Sequence, residues 1–113
     1  MGSADKLRIG TAGIPASAKP RTSQSGIKRI NELGLDHMEL EFVRGVRMGA
    51  ATARAIRHLA ERNDVSLTVH APYYINLNSA EPEKVAASKQ RIMQSARIGA
   101  LAGAKSVTFH AAY

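Results

Sequence analysis

A six-residue pattern occurs twice, as Ser66-Leu67-Thr68-Val69-His70-Ala71 and Ser106-Val107-Thr108-Phe109-His110-Ala111, each time carrying a histidine. Imidazole binds metal and moves protons near neutral pH. One such histidine would read as a filler of the core. Two at equivalent positions of a repeat point to metal ligation or catalysis, so His70 and His110 are the first candidate ligands. A third alternating run, Met38-Glu39-Leu40-Glu41-Phe42, brings two carboxylates. Glu41, near its end, suits metal binding or a catalytic base, or else an ion pair with Arg8, Arg44 or Arg47. Glu39 lies deeper and reads as a partner of Arg8 or of a hydroxyl. His37 and His58, at a strand start and on a helix, read as structural.

These residues need a rigid carrier. Side chains alternate across an extended strand, so Leu67, Val69, Val107 and Phe109 share one face while Ser66, Thr68, His70, Ser106, Thr108 and His110 share the other. The pattern predicts that both histidines arrive at one level of the sheet, with Glu39 and Glu41 pointing the same way. The two copies start 40 residues apart, which is room for a loop, a helix and a turn, as a crossover between parallel strands requires.

The remaining elements follow from periodicity and punctuation. A first strand is expected over Leu7–Thr11, then a loop through Gly13, Pro15 and Pro20. Thr22 or Ser23 caps a helix carrying Ile27, Ile30 and Leu33, and Gly34 sits where a left-handed C-terminal cap belongs. A second helix runs from about Ala50 to Asn63 with Ala53, Ile56 and Ala60 inward and its arginines outward. A third begins near Ser79 and turns Val85, Ile92, Ala96 and Gly99 inward. The order is strand, helix, strand, helix, strand, helix, strand, which predicts an α/β fold with four parallel strands and three intervening helices.

A parallel sheet covered by helices on both faces has almost continuously apolar strands, yet three of these alternate. A closed barrel explains that, with an outer face under helices and an inner face where Arg8, Glu39, Ser66, Thr68 and Ser106 satisfy one another. Eight βα units take about 250 residues. The 113 residues therefore read as a single incomplete domain, the N-terminal half of a (β/α)8 barrel. Its two unpaired edge strands and uncovered lining predict association, as a homo-oligomer or with a complementing C-terminal half.

Composition narrows the function classes. The chain has 44% hydrophobic residues, so it is a folding sequence, and it has no cysteine, so neither disulfides nor thiolate metal sites are available. A cytoplasmic protein is expected. No apolar run approaches the ~20 residues needed to span a bilayer, and Met1–Lys6 resembles no signal peptide. Sixteen Lys and Arg against nine Asp and Glu give a net charge of +7, an electrostatic bias toward polyanions. Lys19 and Arg21 fall in the first loop at the histidine end, Arg44 and Arg47 in the second, and Tyr73 and Tyr74 in the third. Basic groups can neutralise phosphates while rings stack on or wedge between bases, which makes these six residues the candidate DNA contacts. A solvated basic rim, with the tyrosines packed beneath a loop, is the alternative.

Val69-His70-Ala71-Pro72-Tyr73-Tyr74-Ile75-Asn76-Leu77-Asn78 resembles the segment after the third strand in the endonuclease IV family of abasic-site endonucleases, which are xylose-isomerase-like TIM barrels. Phe109-His110 resembles that family's next ligand segment. The resemblance implies that His70 and His110 are ligands in a trinuclear zinc site, that Tyr73 and Tyr74 enter DNA at the lesion, and that Arg47 or Arg44 is a DNA-penetrating arginine. It implies zinc-dependent hydrolysis of the phosphodiester beside an abasic site in duplex DNA, a DNA-repair activity.

The sequence also departs from that family. Gly10-Thr11-Ala12-Gly13 replaces the usual histidine after the first strand, and Ala111-Ala112 replaces a typical Pro-Gly. The remaining family ligands belong to the second half of the barrel, so His70, His110 and Glu41 would form at most an incomplete mononuclear site and the isolated chain would be inactive. Two other readings stand beside the nuclease: a sugar isomerase or epimerase on the same barrel, and a non-catalytic half barrel that self-associates.

Overall fold

The computed structural model describes residues 6–113, so the start of the Met1–Lys6 segment lies outside the described residues. Four strands, β1 (Gly10–Ala12), β2 (His37–Glu41), β3 (Ser66–His70) and β4 (Val107–Thr108), alternate with three helices, α1 (Ser23–Glu32), α2 (Ala50–Arg62) and α3 (Pro82–Leu101). The sheet order is β1-β2-β3-β4 and each neighbouring pair is parallel. This is the expected α/β arrangement.

The alternation in β2 and β3 works as the sequence implies. Met38, Leu40, Phe42, Leu67 and Val69 are buried with Ile27, Ile30, Ala53, Ile56 and Ala60 in one apolar cluster, so the helices cover the apolar face of the two strands. The polar face keeps Glu39, Ser66, Thr68 and His70 half-buried and Glu41 exposed.

Local chemistry sets the helix ends. Thr22 accepts a hydrogen bond from the Ser25 N–H at 3.1 Å to cap α1, and Gly34 follows the helix at φ +75°. Leu33, expected inward, is the C-terminal cap and 44% exposed. α3 starts later than Ser79, since Glu81 is its N-cap and Pro82 its first residue; the Ser79 hydroxyl instead accepts from the Glu81 N–H. Its inward stripe also shifts. Ser88, Ser95 and Gly99 are buried while Val85, Ile92 and Ala96 are half-buried. The small residues let the helix backbone approach the sheet: a Cβ on Gly99 would come within 3.0 Å of the Val69 side chain.

The first strand is shorter than Leu7–Thr11. The Ile9 N–H is taken by the Asp36 carboxylate at 2.6 Å, so regular pairing begins only at Gly10 opposite His37. Arg8 does not pair with Glu39. Its guanidinium turns to the N-terminal end of the sheet, donating to the Asp64 carboxylate at 3.0 Å and to the Asp36 and Asp64 carbonyls at 3.3 and 3.1 Å. Ser66 and Thr68 likewise have another partner: their hydroxyls flank the two ring nitrogens of His37 at 2.7 and 3.0 Å. Burial holds that imidazole's pKa below its ordinary value. His37 is a structural post, as expected, and His58 is exposed on α2.

Candidate metal centre and rim

β2 and β3 lie in the register Glu39 opposite Thr68 and Glu41 opposite His70. Consecutive polar rungs therefore stack two carboxylates beside one imidazole. The Glu39 Oε1 lies 3.6 Å from the His70 Nδ1. One ligand atom from each of Glu39, Glu41 and His70 falls within 4.8 Å of the others. Glu39 is the member that sequence reasoning assigned elsewhere, because its freedom depends on Arg8 turning away, which no local pattern reveals. The two-residue spacing of Glu39 and Glu41 on one strand face was the available signal.

The electrostatics of the two carboxylates favour a positive charge beside them. Partial burial, a hydrogen bond with Glu39 and the Glu39 charge together push the Glu41 carboxyl up to about 7. Two carboxylates on adjacent polar rungs resist joint ionisation unless a cation or a proton sits between them. Among the described residues Glu41 forms no ion pair, so Arg8, Arg44 and Arg47 are not its partners. Two carboxylate oxygens and an imidazole suit a divalent ion such as zinc or manganese.

His110 stands beside this group rather than within it. His70 is level with Thr108, not with His110, so the second histidine rides one polar rung higher. The offset follows from the stagger between neighbouring strands. The two rings nonetheless approach, with centroids 5.4 Å apart at 35°.

The loops above the strand ends form one connected rim. The Tyr73 N–H donates to the Val43 carbonyl at 3.1 Å and the Leu77 N–H to the Ala111 carbonyl at 2.7 Å, so the third loop is tied to the second and to the segment after β4. Tyr73 is 62% exposed. Tyr74 is half-buried, with its ring edge-on to Tyr73 at 5.2 Å and the Arg91 guanidinium 4.6 Å over its face. Gly45, at φ +118°, passes close to the Tyr74 hydroxyl, which a Cβ there would meet at 3.1 Å. Arg44, Arg47 and Lys19 are exposed. Arg21 is exposed too, yet it braces the first loop by donating to the Ile14 carbonyl at 3.2 Å.

A parallel sheet under successive crossover helices, with a charged polar face and its candidate ligands toward the C-terminal strand ends, is the arrangement of a βα barrel. The sequence profile described as xylose isomerase-like TIM barrel matches residues 27–113. The chain belongs to that family. An uncharacterized protein of Methanocaldococcus jannaschii is 41% identical over 107 residues, covering 95% of this chain and 37% of its own length. A D-psicose 3-epimerase, solved in the presence of D-fructose, superposes with a TM-score of 0.67 at 21% identity over 80% of this chain and 32% of its own. Endonuclease IV from Thermus thermophilus superposes with a TM-score of 0.67 at 22% identity over 82% of this chain and 36% of its own. At these identities both structural likenesses establish the fold. The chain spans about a third of the length of these three proteins. No helix among the described residues is long and apolar enough to cross a membrane.

Proposed function

We propose that this chain contributes the N-terminal portion of a zinc-dependent endonuclease that cleaves duplex DNA at abasic sites, the complete barrel being the active unit. The observation that carries the reading is the Glu39, Glu41 and His70 cluster beneath a rim that presents Tyr73, Arg44 and Arg47 to solvent. Zinc held by these three residues would supply Lewis-acid stabilisation of the charge that builds on a phosphate during hydrolysis. His110, its ring centroid 5.4 Å from that of His70, would complete the ligand set. The Glu39–Glu41 pair, in which partial burial and mutual repulsion raise the Glu41 carboxyl in the metal-free protein, would be ionised and neutralised by the bound cation. Arg44, Arg47 and Lys19 neutralise the duplex backbone, and Tyr73 offers a face to an unstacked base.

The test is a nicking assay on a duplex with one abasic-site analogue, run with the full-length protein. Zinc-dependent cleavage beside the lesion, absent on the undamaged duplex and abolished by a chelator, is the expected result. Equal cleavage of both duplexes, or none, overturns the reading.

A second reading rests on the first strand. β1 offers only Gly10 and Ala12 at the rungs of His37 and Glu39, so the first strand adds no ligand-bearing side chain beside Glu39. A carboxyl that titrates near 7 also suits proton transfer at a sugar carbon. Interconversion of D-fructose and D-psicose without affinity for DNA would select that epimerase reading. The third outcome, no turnover and self-association alone, would assign the chain to a scaffold role.

A further inference from the structure

The N-terminal end of the sheet, opposite the metal cluster, holds a cavity of about 400 Å3 between the last turn of α2 and the turn that follows α3. Its floor is apolar: Ala60, Leu67 and Ala102 are 4%, 2% and 1% exposed. Its walls carry three cations, Arg8, Arg57 and Lys105. Two are neutralised, Arg57 by Glu61 at 3.2 Å and Arg8 by Asp64 at 3.0 Å. Lys105 forms no ion pair among the described residues.

A second observation points to an acceptor. The Nε–H of Arg8 is buried and has no hydrogen-bond partner among the described residues, while the same guanidinium's other nitrogens are held by Asp36 and Asp64. A buried donor without an acceptor is costly, and structures retain few of them. The fixed head is thus oriented in advance for one more oxygen. An apolar floor, one uncompensated positive charge and one orphan donor together describe a ligand with an apolar body and a single negative end. Multiply charged anions such as phosphate lack the apolar body and exceed the available charge.

We propose that this cavity binds a small carboxylate carrying an aryl or short alkyl group, the apolar part on Ala60, Leu67 and Ala102 and the carboxylate toward Arg8 and Lys105. The lining comes from Arg8, the end of α2, the turns that follow α2 and α3, and the start of β3. The site is independent of the metal cluster at the other end of β3.

The test is an amide NMR titration of the chain with benzoate, with inorganic phosphate as the second probe. Saturable benzoate shifts at Ala60, Leu67, Ala102 and Lys105 are expected, with phosphate producing none that saturate at these amides. Lys105→Met, an exposed change that leaves the apolar floor intact, is expected to weaken benzoate at least tenfold, and Arg8→Lys provides a second variant that keeps the charge but loses the Nε–H geometry. Absent or unsaturable shifts would mean that ordered water fills the cavity and would overturn the proposal. Undiminished binding in both variants would overturn it as well.

Discussion

The Arg91 guanidinium lies 4.6 Å over the Tyr74 ring and also donates to the Tyr74 carbonyl at 3.4 Å. Tyr74 is thereby fixed between α3 and the Gly45 turn, and its ring packs at right angles against that of Tyr73. The two tyrosines divide the work: one is a packed platform, the other the exposed face.

That division is measurable. Tyr73→Ala is expected to weaken binding of a lesion duplex without changing thermal stability, because the ring makes few internal contacts. Arg91→Ala removes a cation–π contact worth about 0.5–1 kcal/mol, and should lower both the melting temperature and the duplex affinity by releasing the platform. The chain has no tryptophan, so tyrosine emission and its quenching by acrylamide report the loosening directly. Equal effects of the two substitutions on stability would contradict the division.

Zinc affinity should separate the cluster from its neighbour. Glu39→Gln and His70→Ala each remove a member of the three-residue group and are expected to cut affinity by roughly tenfold or more in calorimetry. His110→Ala, outside that group, should cost less. A larger loss for His110 than for Glu39 would place the ion between the two histidines instead.

Glu41 makes the metal-free protein sensitive to pH. Its carboxyl value is pushed up to about 7 from an ordinary 4.5, by partial burial first and by Glu39 second. A raised folded-state value means that the folded protein holds the proton more tightly than the unfolded chain. This contribution is therefore full below pH 4.5 and is lost as pH rises through about 7. Carbon-detected NMR of the carboxyl should show that midpoint, and Glu39→Gln should lower it, since the amide can donate to an ionised Glu41 and carries no charge. A Glu41 midpoint that stays near 7 in that variant would assign the shift to burial alone.

Asp36 and Asp64 act in the opposite sense. The Ile9 N–H and the Lys6 ammonium hold the Asp36 carboxyl below its ordinary value, and Arg8 does the same for Asp64. Stability from these contacts is present above the unfolded value of 3.8 and is lost as pH falls through the lower folded ones. Asp36→Asn is expected to flatten the acid limb of the melting-temperature profile. An unchanged limb would show that the first strand is held by backbone pairing alone.

Gly10 should tolerate no side chain. A Cβ there would overlap the His37 carbonyl oxygen in the β1–β2 ladder. Gly10→Ala is expected to detach β1, seen as loss of amide-exchange protection at Gly13 and at Asp36, which donate to the Glu39 and Ile9 carbonyls across the ladder, while β2 and β3 stay protected. Unaltered protection would mean that β1 can slide along β2 without loss.

The periodic parts of this fold were legible in the sequence. Met38-Glu39-Leu40-Glu41 and Ser66-Leu67-Thr68-Val69 alternate because one sheet face is covered, and Ala53, Ile56 and Ala60 recur because one helix face is. The aperiodic parts were not. Arg8 leaves the sheet interior for Asp64, 56 residues away, and Glu39 is thereby freed for His70. The equal levels expected of His70 and His110 failed for a similar reason: a repeat in sequence sets which face a side chain takes, whereas the stagger between strands sets its height. Ser88 and Ser95 could not be read as inward positions because their value is small size at a close helix approach, not hydrophobicity.

Glu39 and Glu41 stand on β2 and His70 on β3, the two inner strands of the order β1-β2-β3-β4. Each of those strands is hydrogen-bonded on both sides by this chain itself. The triad's spacing is consequently insulated from whatever lies beyond either border of the sheet. Substitutions at β1, at β4 or in a neighbouring βα unit can reshape what reaches the three side chains while leaving their mutual distances alone, so the cluster behaves as a transferable cassette within the barrel.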